Sequence, residues 1–258
     1  MGQNWSSDAE LATDFNAYDD LTEQAVGFPL VFRALGLDPS GLDPSGPGHL
    51  LDYGCGPGRV SLLAARAHPA LRVTGVDISP HMLGIAAERR THERVHYRRI
   101  ESADLSFLPD DSVDAAMSCF VFINIGDLET VREVTAEVYR VLRPGARYAV
   151  LDSNPETVGI RFATFRTGEP GRRYAPGETR RVQLFGSADT LEIEDYHWPL
   201  DVYREVLTGA GFAGVDVRTP VLADALALGA PVVPLPGGDA APEATHAPMV
   251  LAVGTKPA

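Results

Sequence analysis

The sequence predicts an α/β fold, doubly wound around a mostly parallel sheet of seven strands, and three observations carry that expectation. From His49 onward, short β-rich runs alternate with helical patterns, which is the rhythm of βαβ units. The first run ends in "DYGCGPGR", a turn with glycine at 54, 56 and 58 where a strand hands over to a helix. The second run ends in Asp77, about twenty residues after the glycine turn begins, where an open α/β sheet places a ligand-facing carboxylate.

Taken in order, residues 8–35 set apolar side chains at helical spacing, around Leu11, Phe15 and Tyr18 and again at Val31, Phe32 and Leu35. They predict a helical N-terminal arm of two helices separated near Gly27 and Pro29. Residues 36–45 read GLDPS twice, and their glycine and proline density marks a connector to which no function is assigned. Strands are expected at 49–54, 71–79, 95–102, 113–122 and 146–154. Helices are expected at 59–69, at 80–93 with Pro80 in its first turn, and at 127–145, closed by Pro144 and Gly145. Beyond Asn154 the alternation breaks. Two strand-like runs, 181–185 and 190–196 around Gly186, predict a β-hairpin inserted after the fifth strand. A helix over 199–212, a strand over 214–220, a proline- and glycine-rich loop over 220–246 and a closing strand over 248–255 complete the sheet. The chain is expected to form one domain: arm and linker (1–48), core (49–152), inserted hairpin (153–198) and the C-terminal part of the core (199–258).

Composition narrows the function. With 258 residues and 45% hydrophobic content the chain can bury one sizeable core. A formal charge of -13 with no basic run repels polyphosphate backbones, so nucleic acid is not expected as a partner. The N-terminus "MGQNWSSDAELATDF" lacks the basic, apolar and small-residue order of a secretion signal, and no apolar stretch reaches membrane-spanning length, so no membrane partner and a cytoplasmic location are expected. Cys55 and Cys119 are too few for a disulfide framework and sit in no zinc-binding pattern; no metal is expected. The only lysine is Lys256, near the C-terminus, which removes support for Schiff-base chemistry and for a P-loop.

The glycine turn departs from the dinucleotide fingerprint GxGxxG, whose third glycine would fall at 59, where Arg59 stands. Its spacing is GxGxG, preceded by Asp52, whose carboxylate beside the loop suits a cationic group more than a pyrophosphate. Asp77 is placed to accept both hydroxyls of an unphosphorylated ribose. A nucleoside with a positive charge beyond it describes S-adenosylmethionine better than NAD.

At these residues the sequence resembles the class I S-adenosylmethionine-dependent methyltransferases of small-molecule type, from about Leu50 to Leu151. "LDYGCGPG" is similar to their first motif, "VTGVDIS" to their second, "ESADLSFLPDDSVDAAMS" to the stretch DAxxLPFxDxSFD, and "RVLRPGA" to RVLKPGG. The resemblance implies a Rossmann-like sheet with S-adenosyl-L-methionine as cofactor. It also implies that Asp52, Gly54, Gly56 and Gly58 hold the methionine part and Asp77 the ribose. Ile78 and Met82 would flank the adenine, Glu101 would take its amine with Ser102 alongside, and the backbone at Ser118 would face the amino group. Glu101 and Ser102 replace the aspartate and alanine of the pattern, which lengthens the reach to the adenine.

The sulfonium already makes the methyl group electrophilic, so in-line displacement needs chiefly alignment within about 3–3.5 Å. A base matters when the acceptor atom must lose a proton. His197, in "EDYHWP" beside Asp195 and Tyr196, is the candidate base, and Tyr18 in the arm is a second candidate catalytic residue. Phe120, Phe122, Asn154 and Trp198 are the candidate acceptor-binding residues. Arg161, Arg166, Arg172 and Arg173 are read as solvating the insertion. The expected function is methyl transfer to oxygen, nitrogen or carbon of a small-molecule acceptor by a monomer or homodimer. The competing readings are a nicotinamide-dependent oxidoreductase and a non-catalytic S-adenosylmethionine-binding regulatory subunit.

Overall fold

His49–Tyr53 (β1) is buried at every position, as a strand covered on both faces must be. It pairs in parallel with Arg72–Asp77 (β2) on one side and Val113–Cys119 (β4) on the other, with Asp52 level with Gly75 and Met117. Val95–Arg99 (β3), Leu142–Ser153 (β5), Ala213–Arg218 (β9) and Met249–Thr255 (β10) complete a seven-stranded sheet of order β3-β2-β1-β4-β5-β10-β9. Only β10 runs antiparallel, against both β5 and β9. The doubly wound, mostly parallel sheet expected from the sequence is the one observed. The protein is described by a computed structural model over residues 8–37, 46–186 and 190–258. Most of the GLDPS duplication, from residue 38 to 45, lies outside the described residues.

Two cores sandwich the sheet. Side chains alternate along each strand, so Ala116 faces one core and Ala115 and Met117 the other. Leu128–Val141 (α5) is capped by Asp127, whose carboxylate accepts the Thr130 amide at 3.0 Å, and buries Val131, Val134, Val138 and Val141 on one stripe. Full burial of such side chains contributes about 1.5–3 kcal/mol each. Leu200–Gly209 (α6) packs on the same face through Val202, Tyr203 and Val206. Arg59–Ala67 (α3), with Ala64 and Ala65, fills the opposite face, and Pro80–Arg89 (α4) buries Met82 and Ala86 alongside the sheet.

The arm corrects one expectation. Ala9–Ala17 (α1) ends at Tyr18, and the next helix runs without a break through a π-helical turn, Glu23–Gly27, into Phe28–Ala34 (α2). The boundary therefore lies at Tyr18 to Asp20, not near Gly27 and Pro29. Pro29 has no N–H to give to the preceding turn, and the widened turn, in which the Phe28 amide reaches the Glu23 carbonyl, accommodates it.

The insertion is larger than a hairpin. Thr179–Phe185 (β7) and Thr190–Tyr196 (β8) pair as expected, and a three-residue strand, Phe165–Thr167 (β6), adds to the free side of β7. This small sheet shares a third core with the arm, in which Leu11 and Tyr18 meet Phe162, Phe165, Leu184 and Ile193. The loop expected over 220–246 contains a short helix, Leu222–Ala227 (α7). Among the described residues no helix is long and apolar enough to cross a membrane.

Candidate active site

A cavity of about 610 Å³ opens at the carboxyl ends of β1, β2 and β4, roofed by the arm and the three-stranded sheet. Its floor is the glycine turn, where the three glycines have different reasons to be glycine. All three have positive φ, at +72°, +52° and +81° for Gly54, Gly56 and Gly58. A Cβ on Gly54 would stand 2.4 Å from Val121, and one on Gly58 would stand 2.4 Å from the Tyr97 hydroxyl, so both are demanded by the protein's own packing. A Cβ on Gly56 would meet nothing within 4 Å, because it would project into open space. Gly54 and Gly56 line the cavity and Gly58 lies behind it.

Asp77 fixes this loop. Its Oδ2 accepts the Gly56 amide and its Oδ1 the Ser79 amide, each at 2.8 Å. Each carboxylate oxygen has a second lone pair left for a ligand hydroxyl. Burial pushes the carboxyl up and the backbone amides pull it back. Asp52 is 1% exposed, lines the cavity and accepts the Ser61 hydroxyl; burial pushes it up to about 7. A cation brought beside it would favour its ionised form.

The adenine-side residues differ in burial. Ile78 is 46% exposed at the cavity rim, an apolar side chain without a cover, while Met82 is buried beneath it. Glu101 is exposed at the rim, and Ser102 adopts φ +50° with its carbonyl held by the Tyr53 hydroxyl at 2.9 Å. A pocket with an open glycine, a carboxylate with free lone pairs, an uncovered apolar shelf and a buried carboxylate fits the ribose, adenine and ammonium of S-adenosylmethionine in turn.

Several expected residues stand elsewhere. Ser118 is wholly buried, its backbone level with Val150 in the ladder and its hydroxyl bonded to Tyr148 at 2.7 Å, and it does not line the cavity, whereas Cys119, Phe120 and Val121 after it do. Phe122 stacks on Tyr203 with centroids 6.0 Å apart. Trp198 donates its indole N–H to the Phe122 and Ile125 carbonyls at 3.0 Å. Asn154 binds the Ala247 carbonyl and the Glu156 amide, both at 3.0 Å. Phe122, Trp198 and Asn154 hold the walls from outside, and none lines the cavity.

His197 is likewise outside it. β8 stops at Tyr196, so strand alternation no longer carries His197 to the side of Ile193 and Asp195, which do line the cavity. Its backbone instead pairs with Glu178 and Gly177, and its ring lies 6.0 Å from that of Tyr174. Burial, and then Arg180, push its pKa down. His197→Ala is expected to lower Tm through lost packing and leave kcat at saturating acceptor unchanged; a fall in kcat with constant KM would return the ring to the chemistry.

Tyr18 does line the cavity, donating its hydroxyl to Glu23. Phe120 lines it too, at φ +59°, a strained conformation for a bulky residue, and its carbonyl accepts the Asn124 side chain at 2.7 Å. Arg59, at the position where GxGxxG would have glycine, clamps the arm over the loop: its guanidinium binds the Asn16 and Tyr18 carbonyls and pairs with Asp20 at 3.3 Å.

Three polar groups here were not singled out from the sequence: Glu23, Ser153 and Arg180. Arg180 on β7 lies directly opposite Asp195 on β8, giving its Nε and Nη2 to the two carboxylate oxygens at 2.6 and 3.0 Å. Nη2 also reaches the Ser153 hydroxyl at 2.7 Å. Of the inserted arginines, Arg166 binds Gln183, Arg172 pairs with Glu178, and Arg161 lies over the Phe185 ring. Among the described residues no cluster of three or more His, Cys, Asp or Glu side chains is arranged to hold a metal ion.

The fold and this crevice define a class I enzyme that binds an adenosyl sulfonium at the carboxyl edge of its sheet. Residues 50–145 match the family model for the methyltransferase domain. N-demethylindolmycin N-methyltransferase of Streptomyces griseus is 38% identical over 219 residues, spanning 84% of this chain and 91% of that protein. The ubiquinone/menaquinone biosynthesis C-methyltransferase UbiE of Desulfotalea psychrophila is 34% identical over 182 residues, 68% of this chain and 70% of its own. The CcbJ methyltransferase of Streptomyces caelestis shares the fold with a TM-score of 0.64 at 14% identity, over 99% of this chain and all of that one. The chain belongs to the S-adenosylmethionine-dependent methyltransferases: it is an enzyme of methyl transfer with S-adenosylmethionine as cofactor, on a Rossmann-like sheet.

Proposed function

We propose that the methyl group goes to a nitrogen of a compact, mostly apolar small-molecule acceptor held between the arm and the three-stranded sheet. The observation that carries this reading is the composition of that half of the cavity. Phe165, Val182, Leu184 and Ile193 make an apolar wall, interrupted by Asp195 and Ser153, both buried and joined through Arg180. An apolar wall with a few convergent polar groups is how small-molecule sites combine affinity with orientation. The relative from S. griseus, whose name places its methyl on nitrogen, matches across 84% of the chain, the insertion included in that span's reach toward full length.

When bound, S-adenosylmethionine supplies a methyl group made electrophilic by its sulfonium. Asp77 would hold the ribose, Ile78 and Met82 the adenine with Glu101 and Ser102 at its edge, and Asp52 with the glycine turn the methionine part. Asp195, fixed by two bonds from Arg180, orients a donor group of the acceptor. The arm, clamped by Arg59, excludes water from the reacting atoms. Residues 49–152 and 199–258 thus serve as cofactor platform and 153–198 as the acceptor-side wall of one unit, working in the cytoplasm as a monomer or homodimer.

Incubation with methyl-labelled cofactor, N-demethylindolmycin and metabolite extract, followed by mass spectrometry, tests this. Label on a nitrogen supports it; label only on carbon or oxygen replaces it.

A further inference from the structure

Glu23 stands where three elements meet. It opens the π-helical turn, is 4% exposed, and lines the cavity beside Tyr18. Its Oε1 accepts the Tyr18 hydroxyl from the end of the arm, and its Oε2 accepts the Thr164 hydroxyl from the insertion at 2.9 Å. Among the described residues no cation pairs with it: Arg59, the nearby guanidinium, is committed to Asp20 and to two arm carbonyls. A buried carboxylate with hydroxyl donors and no counter-charge is costly as an anion, so it takes up a proton readily. π-helical turns recur at functional sites, and this one carries the acid into the crevice.

We propose that Glu23 is the proton acceptor of the reaction, taking the proton from the attacking nitrogen, with Tyr18 and Thr164 as the hydroxyls that position its carboxylate. This rests on the nitrogen-acceptor reading above. The nitrogen lone pair forms the bond to the methyl carbon as the carbon–sulfur pair leaves with sulfur. As that bond forms, the nitrogen gives its N–H proton to the Glu23 carboxylate, keeping the bonding pair, and the resulting carboxylic acid returns the proton to water when product leaves. Charge balances at each stage.

The surroundings agree with such a role. Burial pushes Glu23 up to about 7, against the pull of the Tyr18 and Thr164 bonds, with Asp20 adding a smaller push in the same direction. Behind it Thr22 binds the buried Glu243 at 2.8 Å, and Glu243 also accepts the Ala163 amide at 2.7 Å. α7 turns its Asp224 to its own cap at the Val221 amide, and β10 presents only Met249 against Gly27. A base of this kind is active when ionised, so kcat rises with pH through its pKa and is lost below it.

The test compares wild type, E23Q and T164V with the labelled-cofactor assay at about pH 5.5 to 9. E23Q keeps the shape and an acceptor oxygen but not the basicity. It is expected to lower kcat by about 10²- to 10⁴-fold, abolish the acidic limb, and leave cofactor affinity by calorimetry unchanged. T164V removes a bond that favours the anion, so the acidic limb moves to higher pH. Independently of turnover, the infrared carboxyl band present in wild type and absent in E23Q should titrate at about 7. Should E23Q not fold, T164V and the wild-type band carry the decision. Label transferred equally fast by E23Q at every pH, or a limb unmoved by T164V, overturns the proton-acceptor role alone. No labelled product from wild type with any acceptor overturns the nitrogen-methylation reading instead.

Discussion

Asp77→Ala is expected to weaken S-adenosylmethionine binding by about 100-fold, because two charge-assisted hydrogen bonds at about 1.5 kcal/mol each disappear. The same carboxylate holds the Gly56 and Ser79 amides at 2.8 Å, so the substitution also frees the glycine of this turn that faces open space. Gly56 lines the cavity, where water can satisfy its amide, but Ser79 is fully buried, so Tm should also fall, reflecting the cost of one orphaned buried donor, about 1–3 kcal/mol. Asp77→Asn keeps one acceptor oxygen and loses the charge, so its loss of affinity should lie between wild type and alanine. Calorimetric titration checks both. An unchanged dissociation constant for Asp77→Ala would mean that the ribose is held elsewhere and that Asp77 serves only the loop. Gly54 and Gly58 answer to Val121 and Tyr97, whereas a Cβ on Gly56 would meet nothing within 4 Å, so the titration asks whether a ligand is what this open glycine and Asp77 serve.

The sheet and the choice of cofactor were legible because local patterns fix them. Short apolar β-rich runs buried almost throughout, the stripe of valines in α5 and the glycine turn all act within a few residues of sequence. What escaped depends on which face an element turns to a distant partner. Pro29 reads as a helix breaker, yet a π turn absorbs it, since the cost of its missing N–H depends on the geometry of the turn before it. Glu23 belongs to no motif and was not singled out, because only tertiary packing places it against Tyr18 and Thr164. Phe122 and Trp198 read as pocket aromatics but pack as core, for an aromatic side chain serves either place equally. His197 shares the parity of Asp195 and would share its face had the strand run one residue further. Arg180 left a trace that could have been followed: it alternates in phase with Val182 and Leu184, so once their face is inward the arginine must be buried and paired.

That pairing yields the largest expected effect on stability. Arg180→Met leaves Asp195 buried and without a cation, for which a loss of about 3–5 kcal/mol is typical, or roughly 6–20 °C in Tm for a chain of this size. Burial pushes Asp195 up and only Arg180 and Ser153 oppose that push, so the orphaned carboxyl is expected to protonate and recover part of the loss at low pH. The sign follows: a group whose folded pKa is raised destabilises most above it, so the deficit of Arg180→Met shrinks as pH falls. The double variant Arg180→Met/Asp195→Leu removes both charges from a wall already made of Val182, Leu184 and Ile193. Buried pairs replaced by packed apolar side chains are often neutral in stability, so its Tm should return near wild type. The pair therefore need not be kept for the fold. If the double variant melts like wild type yet has lost kcat/KM for the nitrogen acceptor, the carboxylate is kept for orienting that acceptor. If kcat/KM survives as well, Asp195 has no part in binding, and the apolar wall alone selects the substrate.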